Sequence, residues 1–223
     1  MKKLLFGLIA TIIVSNLSFA QEVIKPSEYG FYHNEAVKVY NENYLQGNIS
    51  KMNGKDAKQV ITDLLTLMKQ KHPKQFENVK ISEYLQYFET PAKGNFDFFE
   101  NWKNNKEIYI KNGFITKKVS LLLDDVIANG KDYKSIMNIV EVFKANNQLD
   151  ENEKKCITVF QSVIENSNTL WYESNTFGKK NPCTPRTIIA DAATSAMFFY
   201  GGPFGILAGA ASSLFVYYSD SSC

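Results

Sequence analysis

Apolar residues recur at steps of three and four along most of the chain, the spacing that gathers them on one face of a helix. Ala57, Val60, Ile61, Leu64, Leu65 and Met68 form one such stripe, with Asn53-Gly54 turning the chain before it and Pro73 ending it. Ile115, Val119, Leu122, Leu123, Val126 and Ile127 repeat the pattern, and Asn129-Gly130 supplies a C-terminal stop. Ile136, Ile139, Val140 and Phe143 form a third stripe, and Ile157, Phe160, Val163 and Ile164 a fourth. The fourth opens on Asp150-Glu151-Asn152-Glu153, an Asp cap with a Glu three residues on. Shorter helices are predicted at 34–46, 82–90 and 95–103. Strict alternation of apolar and polar residues is scarce. The segment 105–112 reads at most as one short strand without a partner. The pattern therefore predicts an all-α protein, an irregular helical bundle.

The C-terminal segment differs from the rest. No charged residue occurs from Ala192 to Tyr218, and the run is rich in Ala, Gly and Ser. Gly201, Gly205, Gly209 and Ser213 stand four apart, so on a helix they would form a groove into which a second helix can approach closely. A single helix over Ile188–Tyr218 would be about 46 Å long and would carry Gly201-Gly202-Pro203 in its middle. A Gly pair stops a helix and Pro suits the first turn of the next. The segment is accordingly expected to be a Gly/Ala-rich helical hairpin with arms near 186–200 and 203–218. Each arm would be about 22 Å, short of a hydrocarbon core of about 30 Å. Folding at Gly202 brings Cys183 and Cys223 to the same end, where an oxidising compartment would join them as a disulfide clamp and leave Cys156 out.

The N-terminus reads as an address. Lys2-Lys3 precedes the apolar run Leu4–Val14, and Ser18-Phe19-Ala20 ends the segment with small residues, the plan of a cleaved secretory signal peptide. The expected organisation is a signal peptide at 1–20, a helical body at 21–175, a linker loop at 176–185 and a glycine-zipper hairpin at 186–223. The formal charge of +2 falls to zero once the two leader lysines are gone. A neutral chain with Arg186 as its single arginine offers no electrostatic footprint for nucleic acid.

Candidate chemistry is sparse. Three cysteines and two histidines leave little for a metal framework, and no phosphate loop, dinucleotide fingerprint or nucleophile elbow occurs, so no cofactor, metal or catalytic set is expected. His33, with Asn34 beside it, is the best polar site, and a pairing with Cys156 is conceivable, although Cys156 falls on the apolar face with Phe160 and Val163. Asp191 is the one charge inside the first hairpin arm, where a helix N-terminus favours it. Trp102 and Trp171-Tyr172 read as core anchors.

Tyr29-Gly30-x-x-His33-Asn34, Trp171-Tyr172 after the Asp150-x-x-Glu153 helix, and Asp191-Ala192-Ala193 opening a Gly-rich tail give the chain its resemblance to a group of secreted proteins of Bacteroidetes type. The resemblance implies a secreted context. The tail is also similar in composition to glycine-zipper segments of envelope proteins and some bacteriocins. Two functions are expected from these features. One is a secreted or periplasmic, non-enzymatic envelope protein whose hairpin contacts membrane or mediates self-association. The other is a bacteriocin-like antagonist with the tail as its active piece. A periplasmic enzyme using His33 is the third alternative.

Overall fold

The computed structural model describes residues 24–88, 96–173 and 184–219, which are helical, with no strand among the described residues. The main elements are α1 (Tyr29–Tyr40), α2 (Ala57–Lys71), α3 (Phe98–Lys111), α4 (Lys117–Asn129), α5 (Tyr133–Asn146), α6 (Glu151–Asn168), α7 (Thr184–Met197) and α8 (Phe204–Ser219). One-turn pieces at Pro73–Phe76 and Leu85–Tyr87 join them. Wider π turns at Asn41–Leu45 and Thr169–Glu173 prolong α1 and α6. The signal-peptide segment, the linker loop and Cys183 and Cys223 lie outside the described residues.

Side-chain caps set several helix starts. The Asp150 carboxylate accepts from Glu153 N at 2.8 Å while Glu153 Oε2 accepts from Asp150 N at 3.0 Å, the capping box the sequence announced. Glu153 does more than close the box. It is 3% exposed, and it accepts from Thr116 Oγ1 at 2.9 Å and Lys118 Nζ at 2.9 Å, which pins the start of α4 to the start of α6. Asp132 caps α5 in the same way through Ser135.

Two local expectations are corrected. The segment 105–112 is no strand: it belongs to α3, which runs through 98–111. Its alternation is only local, since Tyr109 is buried with Phe98 and Trp102 at helical spacing whereas Ile108 is 46% exposed. The Asp97 carboxylate, accepting from Phe99 N at 2.8 Å and Glu100 N at 3.1 Å, fixes the first turn. Of the helix expected at 82–90, the described part, 82–88, forms only the helical turn Leu85–Tyr87, and 89–90 lie outside the described residues. Here aromatic packing decides the backbone: Tyr84 stacks on Phe204 at 4.6 Å and Tyr87 meets Phe114 edge-on at 5.0 Å.

The chain leaves α7, makes a tight turn through Phe199–Gly201, passes Gly202 at φ 61° and starts α8 at Phe204. Only glycine adopts that φ without strain. The hairpin is no appendage. Residues 187–198 and 204–217 are buried throughout, with α8 packed on α7, α1 and α2, and α7 packed on α6, α4 and α3. The amphipathic helices form a shell around a charge-poor centre.

Glycine governs how closely that centre packs. A Cβ on Gly205 would lie 2.8 Å from Ser195 O and 3.0 Å from Phe198 O. One on Gly209 would overlap Ser195 Oγ and lie 2.8 Å from Asp191 O. The groove on α8 is thus filled by the backbone of α7. Gly201 faces the Tyr84 ring, and Ser213 returns its hydroxyl to Ala210 O at 3.0 Å. Thr194 Oγ1 and Ser212 Oγ join the two arms at 3.1 Å.

A candidate functional site at the shell–hairpin seam

The scattered positions of sequence interest converge on one place, where α1, α6 and the Thr169–Glu173 turn meet α7. Gly30 opens the way: a Cβ there would overlap Ser162 O, so only glycine lets α1 cross α6 this closely, and Gly30 N donates to Ser162 Oγ at 3.1 Å. One turn later His33 points into the seam, its Nε2 at 3.4 Å from Asp191 Oδ1, with both side chains fully buried. Neither atom has a better partner, so this is a charge contact rather than a well-directed hydrogen bond.

The neighbours fix both groups. Asn34 Nδ2 donates to Asn166 O at 2.8 Å, which turns its carbonyl oxygen toward His33 Nδ1 at 3.2 Å. Ser167 Oγ lies 3.4 Å from the same Nδ1, so that side of the ring has two polar neighbours while Nε2 faces Asp191. Trp171 Nε1 donates to Asp191 Oδ2 at 3.0 Å, and the indole stacks on Tyr217 with ring centres 4.7 Å apart. Trp171 therefore touches both arms of the hairpin. The π turn that carries it widens the end of α6 where the indole must reach across. Burial pushes the Asp191 carboxyl above the usual carboxylate range, opposed by His33, Ser167 and Trp171. Tyr29 fastens the far end of the hairpin, its hydroxyl donating to Gly202 O at 3.0 Å.

His33 and Asn34, singled out from sequence, are thus joined to Asp191 and Trp171. The reading of Asp191 as a helix-start carboxylate is corrected: it stands two turns into α7, facing His33 and Trp171. No spacing rule in the sequence announces this pairing, because His33 and Asp191 are brought together only by the packing of α1 and α7 on α6. A carboxylate in an otherwise charge-free run was the available signal.

The other candidates fall elsewhere. Cys156 is buried, its Sγ 3.4 Å from Ala196 O, and burial pushes the thiol up to about 12. It lies three turns, or about 16 Å, along α6 from Ser167, the residue on that helix that touches His33. A Cys156–His33 nucleophile pair is therefore not assembled. The His72 ring stands edge-on to Tyr32 at 5.2 Å and 3.7 Å from Glu35 Oε2, rather than reaching back to the last carbonyls of α2. Asp124 accepts from Trp102 Nε1 at 2.9 Å and pairs with Lys106 at 2.8 Å, whereas Asp125 accepts from Asn129 Nδ2 at 2.6 Å. Among the described residues no group of three or more His, Cys, Asp and Glu side chains is placed to hold a metal.

A sealed imidazole–carboxylate pair offers no face to a substrate. It clamps the hairpin to the shell. No family model matches the chain, and neither the curated proteins nor the solved structures contain a significant match.

Proposed function

We propose that this chain is an exported, non-enzymatic protein that acts at a bacterial envelope membrane through α7 and α8, which it carries packed inside its amphipathic shell until they are released. The observation that carries the reading is the placement of the charge-free run Ala192–Tyr218. It occupies the centre, its glycine face is matched to its own partner arm, and its outward faces are covered by α1, α2 and α6. A pre-packed hairpin of this kind can move as a unit, because the contacts it keeps are Gly205, Gly209 and Thr194–Ser212 and the contacts it exchanges are those to the shell.

Neither arm is long enough to cross a bilayer, and no described helix meets the length and apolarity of a span. The reading is therefore a shallow, re-entrant hairpin, with Tyr217 and Tyr218 at its open end at the level of the headgroups. Export after Ala20 and a Cys183–Cys223 clamp at the open end of the hairpin belong to the same proposal. Self-association through Gly205 and Gly209 requires the two arms to separate, because α7 occupies that face. An antagonist role, with membrane perturbation in a target cell as its outcome, is the form of this reading that the tail's likeness to bacteriocin segments favours.

The test is fractionation of the natively exported protein with a high-pH carbonate wash of the membrane pellet. A fraction that survives the wash is expected. Full recovery in the wash and the aqueous fractions would overturn the proposal.

A further inference from the structure

A cleft of about 480 Å³ opens along the outer face of α3, well away from the shell–hairpin seam. Its volume falls among those of small-molecule sites, roughly 300–1,000 Å³. The helix gives it a periodic wall. Phe98, Trp102 and Tyr109 take one face of α3 into the core, while Glu100, Asn101, Asn104 and Ile108, with Asn105 at the flank, line the cleft. Asparagine is a weak helix former, and the exposed Asn104 has no packing role on this helix.

Part of the wall is fixed in advance. Asn101 Nδ2 donates to Tyr87 O at 3.2 Å and its carbonyl accepts from the Tyr109 hydroxyl. Asn112 Nδ2 donates to the Tyr87 hydroxyl at 2.9 Å. Asn104, Asn105 and Glu100 line the opening beside this fixed wall. Among the described residues the lining includes no lysine or arginine, and the carboxylate of Asp97 is committed to the first turn of α3. These lining residues offer an anion no counter-charge.

Amide groups that both donate and accept, one carboxylate acceptor and an apolar contact from Tyr87 and Ile108 suit an uncharged ligand with many hydroxyls. We propose that the α3 cleft binds a neutral oligosaccharide, with Asn104, Asn105 and Glu100 bonding to sugar hydroxyls and Tyr87 and Ile108 meeting the apolar face of a pyranose. A free oligosaccharide and a glycan chain on a polymer share this chemistry. The inference is independent of the hairpin and stands if the hairpin never leaves its shell.

The experiment is calorimetric titration of the full chain with chitotetraose, cellotetraose and maltotetraose, together with cosedimentation on insoluble chitin and cellulose. The comparison is an Asn104→Ala/Asn105→Ala variant, which removes the amides while raising helix propensity and so keeps the fold. Saturable binding of at least one sugar is expected, weakened about tenfold or more in the variant and insensitive to salt. Sedimentation with the matching polymer assigns the ligand to a fixed chain, and its absence assigns it to a free one, with the cleft supported in both cases. No saturable binding of any of the three sugars up to about 10 mM, or equal binding by the variant, overturns the proposal.

Discussion

At the scale of single residues, His33 and Asp191 are worth more together than apart. Removing one partner of a buried pair leaves the other unpaired in an apolar setting, which costs about 3–5 kcal/mol. His33→Ala is expected to lose stability of that order in denaturant unfolding, and Asp191→Asn, which keeps an acceptor for Trp171, distinctly less. The pH dependence follows from the raised Asp191 carboxyl. The folded state holds this proton more tightly than the unfolded one, so the group favours folding below the ordinary carboxylate value and loses that contribution as pH rises through the raised value. Wild-type stability measured relative to Asp191→Asn should therefore be highest at the acid end and fall toward neutral. A difference that rises with pH would contradict the burial of this group. Ser195 offers a contrast: its hydroxyl is buried without a partner, so Ser195→Ala should leave the melting temperature unchanged or raise it.

Residue identity showed that His33, Asn34, Trp171 and Asp191 were unusual, yet not that they meet. Periodicity reports which face of a helix is apolar, and all four lie on faces that a helix wheel cannot assign to a particular neighbour. Gly30 is the informative residue in retrospect. A glycine inside an amphipathic helix weakens it by about 1 kcal/mol relative to Ala, and the compensating reason is the close crossing of α6. Gly30→Ala is expected to cost about 3 kcal/mol through overpacking against Ser162, read as a lowered denaturation midpoint with the helix content kept.

At the scale of elements, the stripes at 57–68, 115–127, 136–143 and 157–164 were legible because each helix buries one face and exposes the other. The capping box at Asp150 was legible because its chemistry is local. The elements that sequence misjudged, within 82–88 and over 105–112, sit where aromatic side chains from distant segments meet, Tyr84 against Phe204 and Tyr109 against Phe198. The hairpin was legible in outline from Gly201-Gly202-Pro203 and the charge-free arms. Its burial was not, since a charge-free, glycine-grooved helix reads the same whether its partner is a bilayer, a second copy or its own chain. The structure supplies the partner: α7. Gly205→Leu/Gly209→Leu is accordingly expected to force α8 off α7 and unfold the chain, seen as loss of the cooperative transition. A folded variant with normal stability would place the groove at a surface instead.

At the scale of the whole molecule, polar faces lie outward and a paired apolar hairpin lies within, with the His33–Asp191 contact, one indole and a tyrosine hydroxyl along the seam from which its release is proposed. The hairpin also shares one continuous apolar core with α1, α2 and α6, so its proposed release has to expose that surface as well as break the polar contacts of the seam. Trp171 lies on that seam, hydrogen-bonded to α7 and stacked on α8, and so reports directly on departure. The decisive measurement is the emission of Trp171 in a Trp102→Phe background, where it is the single indole, on adding phosphatidylethanolamine/phosphatidylglycerol vesicles. Release of the hairpin into the bilayer predicts a vesicle-dependent change in emission wavelength, quenching by lipid-attached quenchers, and co-flotation of the protein. An unchanged spectrum with the protein left behind in the aqueous layer would show that the hairpin stays in its shell, and the membrane reading would fall.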